Sequence, residues 1–289
     1  MDLCKPDYRH SNWQVRLAAA LQLDDPAALA ELALNDSHES VQVAAVDRLT
    51  DQSVLAQIAR SETDWYVRLS SIVKLTDQKA LEQIVQSESP NPFRRAAMMD
   101  LKDPTALTQV ALSDQDEEFR WIAVERLDDQ TVLAQIAQQD AERRVRLAAV
   151  RRLDDQTLLA QLVRKDASPS IRGAAVKRLA DQAILAETAQ NDSEATVRMA
   201  AVCHLRDQKL LVEIGKSDAD GGVRLAAQKQ LADPAALAHM ARNDPKPGNR
   251  RAALSRLIDR SLLTALAAED PDEDVRRAAD ERLSALGDR

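Results

Sequence analysis

Aromatic side chains are nearly missing from this sequence, with three Trp, two Tyr and two Phe among 289 residues. Any core must therefore be built from Leu, Ala, Val and Ile, and small side chains let helices approach closely. Glycine is also scarce, and no stretch alternates apolar with polar residues as a half-buried strand would. The two cysteines, Cys4 and Cys203, are too few and too far apart for a disulfide framework or a thiolate zinc site. Free thiols fit a reducing cytoplasm, where the chain is expected to reside. No apolar run approaches membrane-spanning length, and the opening MDLCKPDYRH is too polar for a secretory signal. The net charge of −8 argues against bulk electrostatic capture of nucleic acid or an anionic membrane.

What is present is a repeat. The residue before a recurring Arg falls at Val15, Val41, Val67, Phe93, Phe119, Val145, Ile171, Val197, Val223, Asn249 and Val275, always 26 residues apart. Numbering this residue position 0, Arg occupies position 1 in every copy except at Gln42, and Leu occupies position 8 without exception, from Leu23 to Leu283. Positions 0, 4 and 8 share one face of a helix, as in VRLAAVRRL from Val145 to Leu153, and carry apolar residues there. Asn12, Asp64, Asp116, Ser168, Asp220 and Asp272 precede such helices as candidate N-caps. A second helix follows, typified by DQTLLAQLV. It opens with Asp in all ten copies, from Asp25 to Asp259, and the next residue is Gln or Pro in nine of them. Asp at the N-cap with Pro at the first helical turn is a helix start signal.

The expected fold is all-α: a right-handed α-solenoid, or α-alpha superhelix, of eleven 26-residue two-helix repeats over residues 13–289, after an N-terminal lead-in at 1–12. Asp280 replaces the Val or Ile of Val46, Ile72, Val150 and Val202, which suits a terminal layer facing water and places the end near residue 283. Acids stand six residues before the arginines: Asp114 and Arg120, Asp140 and Arg146, Asp166 and Arg172, Asp192 and Arg198, Asp218 and Arg224, with Glu62 and Glu88 before Arg68 and Arg94. This spacing resembles the HEAT-like repeats of the armadillo superfamily. The resemblance implies a ladder of charge-assisted hydrogen bonds between layers, for which Arg has enough donors. At 26 residues the unit is shorter than the usual HEAT repeat of roughly 40 and approaches the bacterial leucine-rich variant repeat. That family implies an Asp-initiated helix that is very short or partly 3₁₀.

The sequence has no GxSxG, no Gly-rich phosphate loop and no CxxC. The single pair His38-Glu39 falls short of the several pairs that di-iron HEAT-like oxygenases use. The run EDPDED at 269–274 mimics calcium-loop spacing, but Val275 stands where the loop needs Gly. No catalytic residue, metal or cofactor is expected, and the chain is not expected to be an enzyme.

By the family resemblance, positions 2 and 6 of the Arg-bearing helix line the inner groove. Candidate partner-binding residues there are apolar in the N-terminal half, at Leu17, Leu21, Leu69, Val73, Met99 and Trp121, and basic in the middle, at Arg151 and Lys177. Residues 141–180 hold ten cations against four acids, so a local basic patch is compatible with the acidic whole. Trp13 and Trp65, just before their helices, read as hydrophobic staples. The expected function is a non-enzymatic protein-protein interaction scaffold or adaptor whose protein or peptide partner is acidic or helical. The resemblance leaves two alternatives: a nucleic-acid-binding protein of the DNA-glycosylase type, and a chromophore lyase or chaperone.

Overall fold

The computed structural model describes residues 7–61, 64–87 and 91–287, and all regular structure among them is α-helical. The chain divides into two compact units, one ending at Leu127 and the other beginning at Asp128. The first holds α1 (Trp13–Ala20), α2 (Pro26–Asn35), α3 (Glu39–Arg48), α4 (Gln52–Arg60), α5 (Trp65–Val73), α6 (Gln78–Gln86), α7 (Asn91–Asp100), α8 (Pro104–Ser113) and α9 (Glu117–Val124). The second holds α10 (Gln130–Gln139), α11 (Arg143–Arg152), α12 (Gln156–Lys165), α13 (Pro169–Val176), α14 (Gln182–Asn191), α15 (Ala195–His204), α16 (Gln208–Ser217), α17 (Gly221–Gln230), α18 (Pro234–Asn243), α19 (Pro247–Leu254), α20 (Arg260–Glu269) and α21 (Glu273–Gly287). Odd-numbered helices carry the Arg motif and even-numbered ones open with Asp. In each unit even helices pack on the odd helices that follow them, and odd helices pack side by side from α1 to α7 and from α11 to α21, so each unit is an α-solenoid. The Asp-initiated helices are regular α-helices of nine or ten residues, not 3₁₀ segments. The last helix runs to Gly287, past the expected end at 283.

The repeat pattern maps directly onto burial. Position 0 is buried from Val41 through Val275, and the small position-4 residues Ala45, Ala97, Ala123, Ala149, Ala175, Ala201 and Ala227 are fully buried. These Cβ-only side chains set how closely odd helices can lie. The position-8 leucines are buried from Leu49 to Leu257, and only the terminal Leu23 and Leu283 are half-buried. Asp280 is exposed, as a terminal layer requires. All ten initiating aspartates cap their helices by accepting backbone N–H groups at the first turn.

Within each unit, three sets of side chains join neighbouring repeats. In the first, the position-1 guanidinium forks the carboxylate twenty residues ahead. Arg16 holds Asp36, Arg172 holds Asp192, Arg198 holds Asp218, Arg224 holds Asp244 and Arg250 holds Asp270, each through two bonds of 2.6–2.9 Å. Nη1 of the same arginine donates to the carbonyl of the acid six residues behind, as from Arg198 to Asp192 at 2.9 Å and from Arg224 to Asp218 at 2.8 Å. One guanidinium thus joins the C-caps of two successive even helices. An acid at a helix C-terminus is disfavoured by the macrodipole, and the fork offsets that cost.

The ladder is not uniform. Arg120 and Arg146 donate to the carbonyls of Asp114 and Asp140, both at 2.8 Å, but Arg146 does not reach the carboxylate of Asp166. Asp140 and Asp166 accept the N–H groups of Glu142 and Ser168, as the forked aspartates accept those two residues ahead of them. Where Phe occupies position 0 of the next repeat, the guanidinium stacks on the ring: Arg68 lies 4.2 Å from the centroid of Phe93, and Arg94 lies 4.0 Å from that of Phe119. Arg94 also bonds Asp114. The paired acids read for Arg68 and Arg94, Glu62 and Glu88, lie outside the described residues, as does Cys4.

The second set was not anticipated from the sequence. Each glutamine after an initiating Asp clamps the loop of the following repeat. Oε1 of Gln52, Gln78, Gln130, Gln156, Gln182 and Gln208 accepts the N–H twenty-four residues ahead at 2.6–3.0 Å. Their Nε2 atoms donate to the carbonyl twenty-two residues ahead at 3.2–3.4 Å. The third set runs backward: at position 7, Arg48, Arg126, Arg178, Arg256 and Arg282 donate to the carbonyl of the position-8 leucine of the preceding repeat. The backbone groups of a short connecting loop thereby find partners without a longer repeat.

Burial pushes the carboxyls of Asp36, Asp192, Asp218, Asp244 and Asp270 up, but hydrogen bonds from arginine and from backbone N–H groups outweigh it, and all five lie below the ordinary aspartate range. A carboxyl depressed in the folded state contributes stability that is complete above the ordinary range, near pH ~4, and is lost as pH falls through the folded-state values. Stability should therefore hold to about pH 4.5 and fall steeply below it, and Asp218→Asn should flatten that acid limb in a pH series of urea melts. Arg224 and Asp244 are both buried. Asp244→Ala strands a buried guanidinium and should cost about 3 kcal/mol. Asp166→Ala, which breaks no fork, should cost about 1 kcal/mol in the same urea titration.

Candidate binding surface

With positions 0, 4, 5 and 8 of the odd helices turned inward, positions 2 and 6 face the other way. Position 6 is exposed in all eleven repeats. Position 2 is half-buried at Leu17, Val43, Leu69, Trp121, Leu147, Gly173 and Leu225, and exposed only at Arg95, Met199, Arg251 and Arg277. Leu17, Leu69 and Trp121 are thus half-buried, as are Leu147 and Gly173 at the same position of the second unit.

In the first unit the exposed row is Leu21, Asp47, Val73, Met99 and Glu125. Leu21 is 57% exposed, Val73 61% and Met99 74%, so three of these five sites present large apolar side chains to water. The exposed Arg95 is paired with Glu118 at 2.7 Å. Trp13 and Trp65 are the first residues of their helices and do not act as staples on their own turns. Trp13 stacks on His38 with centroids 3.9 Å apart, and Trp65 packs on Phe93 at 4.4 Å, each bridging to the next odd helix.

In the second unit Arg151 and Lys177 come together. Both line a groove of about 510 Å³ on the face of α11, α13 and α15, whose floor includes Leu147, Gly173, Ala174 and Val197. A Cβ at Gly173 would come no nearer than 3.9 Å to Val197, so packing does not demand glycine there; its bare backbone deepens the groove. Among the described residues neither Arg151 nor Lys177 forms an ion pair, although both are exposed. Much of the surrounding basic stretch is committed elsewhere. Arg152 pairs with Asp128, Arg164 with Glu187, Arg172 with Asp192 and Arg178 with Asp154. The charge excess read from the sequence thus narrows to a few side chains, two of which share this groove.

The other motifs have structural employment. Asp270 holds Arg250 and accepts the N–H of Asp272, Asp272 caps the N–H of Val275, and Asp274 bonds Arg277. His38 is the N-cap of α3, its Nδ1 accepting the N–H of Ser40. Among the described residues no three His, Cys, Asp or Glu side chains gather as a metal site would need, and no helix is long and apolar enough to cross a membrane.

No family model matches this chain, and no curated protein matches it. Two solved structures give distant likenesses. The YibA protein of Escherichia coli aligns at 18% identity and a TM-score of 0.44, over 78% of this chain and 98% of that one. A designed armadillo repeat protein aligns at 19% identity and a TM-score of 0.18, over 91% of this chain and all of that one. At these scores the fold stands on the chain's own helices and bonds, and neither neighbour carries an argument about function.

Charge reversal at the groove should leave the fold intact. Arg151→Glu with Lys177→Glu removes no bond that joins repeats, so the double variant should melt within about 0.5 kcal/mol of wild type. Circular dichroism melts would check this, and a large loss would mean that these side chains are structural.

Proposed function

We propose that the chain is a non-enzymatic protein-interaction scaffold that binds a protein or peptide partner along the outward face of its odd helices. The observation that carries this reading is the contrast between committed and uncommitted side chains. Arginines at positions 1 and 7 and glutamines at the head of the even helices are bonded across repeats. Arg151 and Lys177 are exposed, unpaired and placed beside one groove. Cations held apart from the fold's own ion pairs can meet an acidic segment without first breaking a bond. The exposed Leu21, Val73 and Met99 of the first unit suit the apolar face of a helix. The same reading puts the chain in the cytoplasm, where an exposed thiol such as Cys203 stays reduced.

The test is affinity capture of tagged protein from host lysate, treated with nuclease and read by mass spectrometry. The wild type should retain a protein partner in stoichiometric amount. The Arg151→Glu, Lys177→Glu variant should lose it at least ~tenfold, and Leu21→Ser with Met99→Ser should weaken any helical partner comparably. Partners that disappear with nuclease would move the assignment to nucleic acid. Partners indifferent to all four substitutions would remove this face from the account.

A further inference from the structure

The glutamine clamp is absent from the repeat headed by Pro234, which occupies the place that Gln fills in six of the ten even helices. A proline ring has neither amide oxygen nor amide N–H to offer. The two backbone groups that a glutamine there would hold are the N–H of Ile258 and the carbonyl of Arg256, twenty-four and twenty-two residues ahead. Among the described residues neither has a hydrogen-bond partner, while the corresponding N–H groups of Arg206 and Ala232 are held by Gln182 and Gln208 at 3.0 Å. The guanidinium of Arg256 is turned back onto the carbonyls of Gln228 and Leu231 and does not cover its own loop.

A second departure coincides with the first. Ile258 stands at position 9, where the other ten repeats carry Asp, Thr, Lys, Ala, Arg or Ser. It is 72% exposed. At Pro26, which also lacks a clamp, the matching residue is the polar Thr50. Around Ile258 a groove of about 610 Å³ opens, lined by Pro234, Ala238, Arg242, Arg256, Ile258 and Asp259. Arg242 is exposed and makes no ion pair among the described residues.

We infer that this groove is a vacated clamp seat that accepts a glutamine side chain from a peptide partner. The six internal glutamines define the ligand chemistry: a primary carboxamide whose oxygen takes the Ile258 N–H and whose NH₂ donates to the Arg256 carbonyl. An apolar neighbour in the peptide covers Ile258, and an acidic one faces Arg242, the charge complement the groove offers. The partner is thus an extended segment of the Glu-Gln-Leu kind, recognised by backbone groups that the repeat leaves open here. The inference rests on reading the chain as a protein-binding scaffold, but uses a face of the even helices distinct from the Arg151 groove.

The probe is a blocked pentapeptide, acetyl-Gly-Glu-Gln-Leu-Gly-amide, titrated into ¹⁵N-labelled full-length protein and followed by amide chemical shifts. The Ile258 amide should shift saturably. A peptide with Met in place of Gln keeps the length and loses both bonds, and should bind at least ~tenfold more weakly. Pro234→Gln installs the clamp that six repeats already carry, so the variant folds; its Ile258 amide should be displaced before titration and unresponsive afterwards. Ile258→Ser should weaken binding while leaving the bonds possible. Equal binding of the Met peptide, persistence of binding in Pro234→Gln, or no shift at millimolar peptide would overturn the seat. None of these results bears on capture through Arg151 and Lys177, so the two readings fail separately.

Discussion

A two-helix unit of 26 residues leaves loops too short to satisfy their own backbone, and the fold depends on how those groups are paired. The solution is to borrow side chains from neighbouring repeats. Glutamine at the head of one even helix holds the next loop, arginine at position 7 holds the previous one, and arginine at position 1 joins two successive C-caps. These bonds are charge-assisted or bidentate, the forms that fix geometry most firmly. They also explain a core made almost wholly of Ala, Val, Leu and Ile. Once direction and spacing are set by polar clamps, small apolar side chains suffice to fill the space between closely set helices.

The same economy makes the surface readable. A side chain in this chain either serves a recurring bond or departs from the repeat, and departures stand out against ten or so copies of the same position. Arg151 and Lys177 sit at exposed position 6 without partners, whereas Arg152 and Arg178, one residue along, are both held by acids. Pro234 and Ile258 depart together at one loop. A single globular domain would offer no such internal reference against which to judge a residue as spare.

Much of the fold was legible because periodicity reports burial directly. The stripe at positions 0, 4 and 8, the Asp caps and the exposed Asp280 all follow from one helical face. The acid–arginine spacing announced a ladder but not its geometry, since the fork closes on the acid twenty residues ahead, while the acid six residues behind supplies a carbonyl. The glutamine clamp was visible as a recurring letter in Asp-Gln, yet its targets lie two dozen residues away and are backbone atoms, which a sequence does not distinguish. The half-burial of position 2 is hidden for a similar reason. Leu17 and Leu69 point away from the helix's own buried stripe but lie half-buried beside the neighbouring odd helix, a packing effect that one helical wheel does not contain. Of the ten cations of 141–180, Arg164, Arg172 and Arg178 are held in ion pairs with acids some twenty residues away, a commitment that composition alone does not reveal.

The central claim is that side-chain clamps hold the loops of successive repeats, and native-state hydrogen exchange tests it most directly. The clamped loop amides of Thr76, Lys102, Asp154, Ala180, Arg206 and Ala232 should exchange slowly, close to the rates of the adjoining helices. Those of Thr50 and Ile258, which follow proline-led helices, should exchange at least ~tenfold faster. Equal rates across the two groups would contradict the account and leave the glutamines as surface decoration.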